Sequence, residues 1–176
     1  MHHRDEALAI ASRQGDRGSY STLVRVHLRR VFAICLGYLG QPADAEDAAQ
    51  EVFLRGYQKI GTLGDTARFK AWIDQIARNH CLDLLRRRER RSEAPLSESP
   101  EAHHTPSTDR DLELSRALAR LPEKHRLPLI LYYFEDKDTG ALAREMGLSQ
   151  GGACTRLFRA RVQLRRLLEE EGKSHE

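Results

Sequence analysis

Residues 92–111, SEAPLSESPEAHHTPSTDRD, constrain the architecture of this chain more than any other stretch. They hold three of its six prolines and six Ser or Thr, with Leu96 as the one large apolar side chain. Such a segment cannot bury enough apolar surface to offset the entropy lost on ordering, so a flexible linker is expected here. The 176 residues then divide into two small domains, 1–91 and 112–176. As a random coil the linker spans about 25 Å, and fully extended about 66 Å, so the domains can reach sites far apart.

Charge follows the same division. Residues 1–91 carry 16 basic and 11 acidic side chains, the linker one and five, and residues 112–176 twelve and ten. Two mildly basic blocks around an acidic spacer suit modules that face nucleic acid. A charged fraction of 31% with 40% apolar residues argues against both a membrane protein and a chain disordered throughout. The longest apolar run, residues 31–39, is far short of the roughly 18 needed to span a bilayer. The N-terminal MHHRDEALAI lacks the apolar core of a secretory signal, so a cytoplasmic protein with no membrane contact of its own is expected. Cys35, Cys81 and Cys154 are widely spaced and form no CxxC pair, which speaks against a disulfide framework or zinc knuckle. No P-loop, HExxH or GxSxG motif is present. No catalytic residue, metal or cofactor is therefore expected.

Both blocks have the period of amphipathic helices, so the expected fold class is all-α. Leu23, Val24, Leu28, Val31, Phe32 and Cys35 mark a helix over residues 21–39 that Gly40 and Pro42 stop. A second is expected to start at Asp44 as N-cap, with Ala45, Ala48, Val52, Phe53, Tyr57 and Ile60 on one face. A third runs from about Thr66 through Phe69, Trp72, Ile73, Ile76, Cys81, Leu84 and Leu85 into a run of arginines. In the second block Pro122 suits the first turn of a helix, and Pro128 should bend that helix or shift its start. Asp138 and Thr139 cap a short helix that ends at Gly147; Ser149 caps the last one. Helix, glycine turn, helix is the helix-turn-helix arrangement.

Three surfaces carry candidate function. In the last helix, Ala153, Leu157, Ala160 and Leu164 must pack inward, which turns Gly151, Cys154, Thr155, Phe158 and Arg159 outward, where they can enter a major groove. A structural hairpin with a solvated basic face fits the same spacing. On the long helix, Lys70, Arg78, Asn79, Arg86 and Arg87 occupy the wet side. They can take single-stranded DNA phosphates, with Trp72 and Phe69 near unstacked bases. The alternative leaves the aromatics in the core and the arginines at a helix C-terminus, where cations are favoured anyway. Asp44, Glu46, Asp47 and Glu51 complement a helix N-terminus, or else meet a protein.

The strings DAEDAAQEVFLRGYQ, RFKAWIDQIARNHCLDLLRRR, LPEKHRLPLILYYFE and LSQGGACTRLFRARVQLRRLL together resemble the extracytoplasmic-function sigma factors of bacterial RNA polymerase. The resemblance implies that 1–91 is sigma region two and 112–176 sigma region four, joined by the linker 92–111. Region two would bind the clamp of the polymerase largest subunit through Asp44, Asp47, Gln50, Glu51 and Leu54. It would capture the minus-ten strand with Leu63, Gly64, Asp65, Thr66, Arg68, Lys70, Arg78, Asn79 and Asp83, beside Arg86 and Arg87. Region four would bind the flap of the other large subunit. It would read the minus-thirty-five element through Gly151, Gly152, Thr155, Phe158 and Arg159, with Cys154 on the same helix. Core polymerase, promoter DNA and an anti-sigma factor are the partners so implied. A self-sufficient dimeric helix-turn-helix regulator is the rival, and it would need a dimer seam such as sustained heptads.

Overall fold

The computed structural model describes residues 2–92 and 109–173. It is all-helical, with no strand among the described residues. The first half contains α1 (His2–Arg13), α2 (Arg17–Leu39), α3 (Pro42–Lys59), two 3-10 turns (Ile60–Thr62 and Thr66–Arg68) and α4 (Phe69–Ser92). The second contains α5 (Asp109–Arg120), α6 (Glu123–Tyr133), α7 (Thr139–Glu145) and α8 (Gln150–Lys173). Most of the expected linker lies outside the described residues, and α5 already begins at Asp109.

Local chemistry sets the helix ends. The Asp16 carboxylate accepts from the Gly18 N–H at 2.9 Å and the Ser19 hydroxyl at 2.6 Å, so α2 starts four residues before the apolar period shows. Gly40 closes α2 at φ 80°, a left-handed position that suits glycine, and its N–H donates to the Leu36 carbonyl at 2.9 Å. The expected cap at Asp44 is displaced. Pro42 takes the first position of α3 behind Gln41, which leaves Asp44 inside the first turn. Pro122 is the N-cap of α6 rather than part of its first turn, and α6 continues through Pro128.

Helix α1 carries only a weak apolar stripe for a sequence pattern to find. Ala9 is buried and Leu8 packs beside it, but the other buried side chains, Asp5 and Ser12, are polar and hydrogen-bonded. The Ser12 hydroxyl donates to the Leu8 carbonyl at 2.7 Å, and Asp5 meets His27 of α2 at 3.1 Å.

Helix α2 is the axis of the molecule. It packs on α1, α3 and α4 from its own half and on α5 and α6 from the other. Residues 33–40 are accordingly all buried, as an all-round apolar helix should be. Phe69, Ile73, Ala77 and Cys81 complete the core from α4. The two halves are thus in direct contact, although either could act apart on a linker of that length.

Candidate nucleic-acid interface

The second half builds its last helix, α8, as the spacing requires. The Asp138 carboxylate accepts from the Ala141 N–H at 2.7 Å to start α7. Gly147 turns the chain at φ 62°, and the Ser149 hydroxyl accepts from the Gly152 N–H at 3.1 Å to start α8. Ala153, Leu157 and Ala160 are buried, with Leu164 packed against them. Gly151, Cys154, Thr155, Phe158 and Arg159 face out, and Gly152 is half-buried. Phe158 is 65% exposed, far more than its apolar ring would choose without a partner.

A cleft beside this face is lined by Lys124, Leu148, Thr155, Arg156, Phe158, Arg159 and Val162. Burial lowers the pKa of His125 at its edge, and the charges of Lys124, Arg156 and Arg159 lower it further. The cleft is therefore a locally positive site that suits a phosphate. Lys124 and Arg156 escape sequence reasoning, because Lys124 comes from α6 and no local pattern ties it to α8.

In the first half the candidate residues divide. Gly64, Asp65 and Arg68 are exposed in the loop, where Asp65 accepts from the Ala67 N–H at 3.1 Å and pairs with Arg68 at 3.3 Å. Leu63 and Thr66 turn inward, so they brace this loop rather than face a strand. Asn79, Asp83, Arg86 and Arg87 are exposed along α4. Asn79 accepts from Gln75 at 2.8 Å, and Arg86 pairs with Asp83 at 3.1 Å. Trp72 is half-buried, with its ring centroid 5.8 Å from that of the fully buried Phe69.

Lys70 and Arg78 are not on a wet side. Arg78 is bonded to Glu135, with its Nε 3.6 Å from Glu145; Lys70 is bonded to Asp136. All three carboxylates come from the other half of the chain. Burial pushes the Glu135 carboxyl above the usual range, with Arg78 and Lys137 pulling it back.

On α3, Asp47, Gln50 and Leu54 share one exposed face, and Leu54 is 60% exposed. The remaining acidic residues are partly engaged. Asp44 pairs with Arg88 of α4 at 2.8 Å, and Glu51 with Arg55 at 2.6 Å. Acidic and apolar groups side by side suit a protein surface, since phosphate would be repelled.

The description Sigma-70 region 2 matches residues 23–91, and Sigma-70, region 4 matches residues 111–164. The ECF RNA polymerase sigma factor SigM of Mycobacterium tuberculosis is 31% identical over 169 residues, covering 95% of this chain and 86% of the relative. The chain belongs to the extracytoplasmic-function sigma factors. That makes it a transcription initiation factor rather than an enzyme. SigF of Caulobacter vibrioides is 32% identical over 162 residues, covering 89% of each. Among solved structures, this sigma factor is similar in fold to CnrH in complex with the cytosolic domain of CnrY. The TM-score is 0.55 at 23% identity, over 95% of this chain and 98% of CnrH. It is also similar to RpoE in complex with the anti-sigma factor NepR from Bartonella quintana. There the TM-score is 0.56 at 24% identity, over 85% and 96%. The two matched segments of the sigma factor leave residues 92–110 between them. No helix among the described residues is long and apolar enough to cross a membrane.

Proposed function

We propose that this sigma factor binds core RNA polymerase in the cytoplasm and directs it to promoters. Residues 1–91 open the minus-ten element, residues 112–176 read the minus-thirty-five element, and residues 92–111 span the distance between. The observation that carries this is the outer face of α8. Thr155, Phe158 and Arg159 stand out from a buried Ala153–Leu157–Ala160 stripe, immediately after a capped turn.

Arg159, with Arg156 and Lys124 beside it, takes phosphates and sets the register of the helix on the duplex. Thr155 and Phe158 then meet base edges in the major groove, where a hydroxyl can bond either way and a ring can cover a thymine methyl. In the first half, Arg68, Asn79, Arg86 and Arg87 track the displaced strand. The exposed face of α3, Asp47, Gln50 and Leu54 with Asp44 and Glu51 beside it, seats on the clamp of the largest subunit.

The flap of the other large subunit finds a groove between α6 and α8. Leu129, Tyr133, Leu164 and Leu168 line it. Arg161 lies 5.2 and 5.3 Å from the ring centres of Tyr132 and Tyr133 and stiffens its wall. An anti-sigma factor that covers these surfaces would hold the protein inactive.

Run-off transcription with purified core polymerase and genomic fragments tests the reading. The expected result is a discrete set of transcripts that requires both components. Specific footprinting by the isolated chain at physiological salt, with no complex with core on gel filtration, would overturn it in favour of a self-sufficient regulator.

A further inference from the structure

Residues 134–138 connect α6 to α7 and carry four charges, Glu135, Asp136, Lys137 and Asp138. The connection is firmly held. The Glu135 N–H donates to the Ile130 carbonyl at 3.1 Å, and the Lys137 N–H to the Leu131 carbonyl at 3.0 Å. Asp136 between them stands at φ 53°, the one non-glycine residue at positive φ among the described residues. A non-glycine residue persists there only where its surroundings over-determine it.

The side chains explain what holds it. Lys70, Asp74 and Arg78 recur every fourth residue on one stripe of α4. Lys70 bonds to Asp136 and Arg78 to Glu135, while Arg30 of α2 reaches Asp136 at 3.5 Å. Glu135 is 2% exposed at its side chain. Two carboxylates thus sit on the two α4 cations, Lys70 and Arg78, that the resemblance to sigma region two would give to the minus-ten strand. A fixed pair of anionic oxygens on Lys and Arg is chemically what a nucleic-acid backbone would supply.

We propose that the α6–α7 connection is an internal stand-in for the DNA backbone, closing part of the minus-ten surface until the two halves separate. This rests on the reading that Lys70 and Arg78 meet the strand. The free protein is then self-masked. Strand capture requires that α6 leave α2, an opening that binding to core polymerase can drive.

The closed state also depends on a contact that carries no charge. At Gly37 of α2 an added Cβ would lie 2.7 Å from Cγ1 of Ile130 in α6. Gly37→Ala therefore wedges the halves apart, while alanine suits the interior of α2 better than glycine does.

Two variants test the mask by unrelated routes: Gly37→Ala by sterics, and Glu135→Ala with Asp136→Ala by charge. Small-angle X-ray scattering reads the opening. Fluorescence anisotropy with a labelled 20-nucleotide single strand reads DNA affinity against salt. Both variants should expand the protein and bind the strand about tenfold tighter. The slope of log affinity against log salt should steepen by about 1.4 for two recovered phosphate contacts. Expansion without a gain in affinity would overturn the mask, as would no expansion in either variant. Promoter melting by holoenzyme carrying Lys70→Gln and Arg78→Gln judges the DNA contact separately. If opening brings no affinity gain but melting is lost in that holoenzyme, only the mask fails.

Discussion

The Nε of Arg126 donates to the Gly37 carbonyl oxygen at 3.1 Å, joining residues 89 apart in the chain. The same guanidinium donates through Nη1 to the Leu121 carbonyl at 2.8 Å. It therefore caps two helix C-termini at once, α2 from the first half and α5 from the second. Carbonyls there lack partners within their own helices, and a cation complements both dipoles.

Arg126→Met should cost about 3 kcal/mol in urea denaturation, because it leaves two buried carbonyls without donors. Lysine would rescue only part, since one ammonium cannot match the forked geometry. A loss below about 1 kcal/mol would mean that water replaces the guanidinium at little cost.

Acid should weaken the fold through its buried imidazoles. His27 and His80 are both buried, and burial is the main cause lowering each pKa. Arg55 lowers that of His80 further, while Asp5 partly offsets the effect at His27. The unfolded chain gains these protons near pH 6.5 and the folded chain only below that, so stability falls as pH drops from about 7 toward 5. His125, also buried with a lowered pKa, adds a third proton, and three protons cap the slope at about 4.1 kcal/mol per pH unit. Urea midpoints at pH 7.5 and 5.5 check the sign; a flat response would mean that these imidazoles titrate normally in the fold.

The α3 face can be separated from the fold it belongs to. Asp47→Arg with Glu51→Arg should reduce core polymerase binding at least a hundredfold while circular dichroism stays unchanged. Asp47 is exposed, and Glu51 loses only its surface pair with Arg55, a contact worth well under 1 kcal/mol. Undiminished co-elution with core on gel filtration would reduce these carboxylates to helix-end complements.

Cys154 is exposed on α8, one turn before Phe158. A thiol supplies a weak donor and no charge at the place where a cation could reach a phosphate. Cys154→Lys should tighten duplex binding and steepen its salt dependence by about 0.9, the increment for one phosphate. Affinity measured from low to high salt for wild type, Cys154→Lys and Cys154→Ser decides it. An unchanged slope for the lysine variant would place this position off the backbone.

The second half was the more legible part of the sequence. Its caps at Asp138 and Ser149 and the inward stripe of α8 are local, and local chemistry is what spacing reports. Helix α1 was hidden because its most buried side chains are Asp5, Ala9 and Ser12, two of them polar, with Asp5 matched to His27 of α2 and the Ser12 hydroxyl to the helix's own Leu8 carbonyl. The start of α3 was misplaced because Asp44 looks like a cap, yet it lies within a turn that Pro42 begins. Periodicity also sent Lys70 and Arg78 to water. They are polar positions on an amphipathic helix, and nothing nearby in sequence announces acids 66 and 57 residues away. A period separates apolar from polar faces. It does not say whether a polar face meets solvent or the charges of another helix.

Helix α8 runs unbroken for 24 residues, from Gln150 to Lys173, about 36 Å at 1.5 Å per residue. Thr155 and Phe158 lie near one end, and Leu164 and Leu168 line the groove further along. The proposed contacts to DNA and to the polymerase flap would therefore be carried by a single strut with no hinge between them. The offset between those contacts is a property of helical pitch. An insertion in the spacer before Asp109 would leave that offset unaltered, whereas one extra residue between Phe158 and Leu164 would rotate the two ends by about 100° relative to each other.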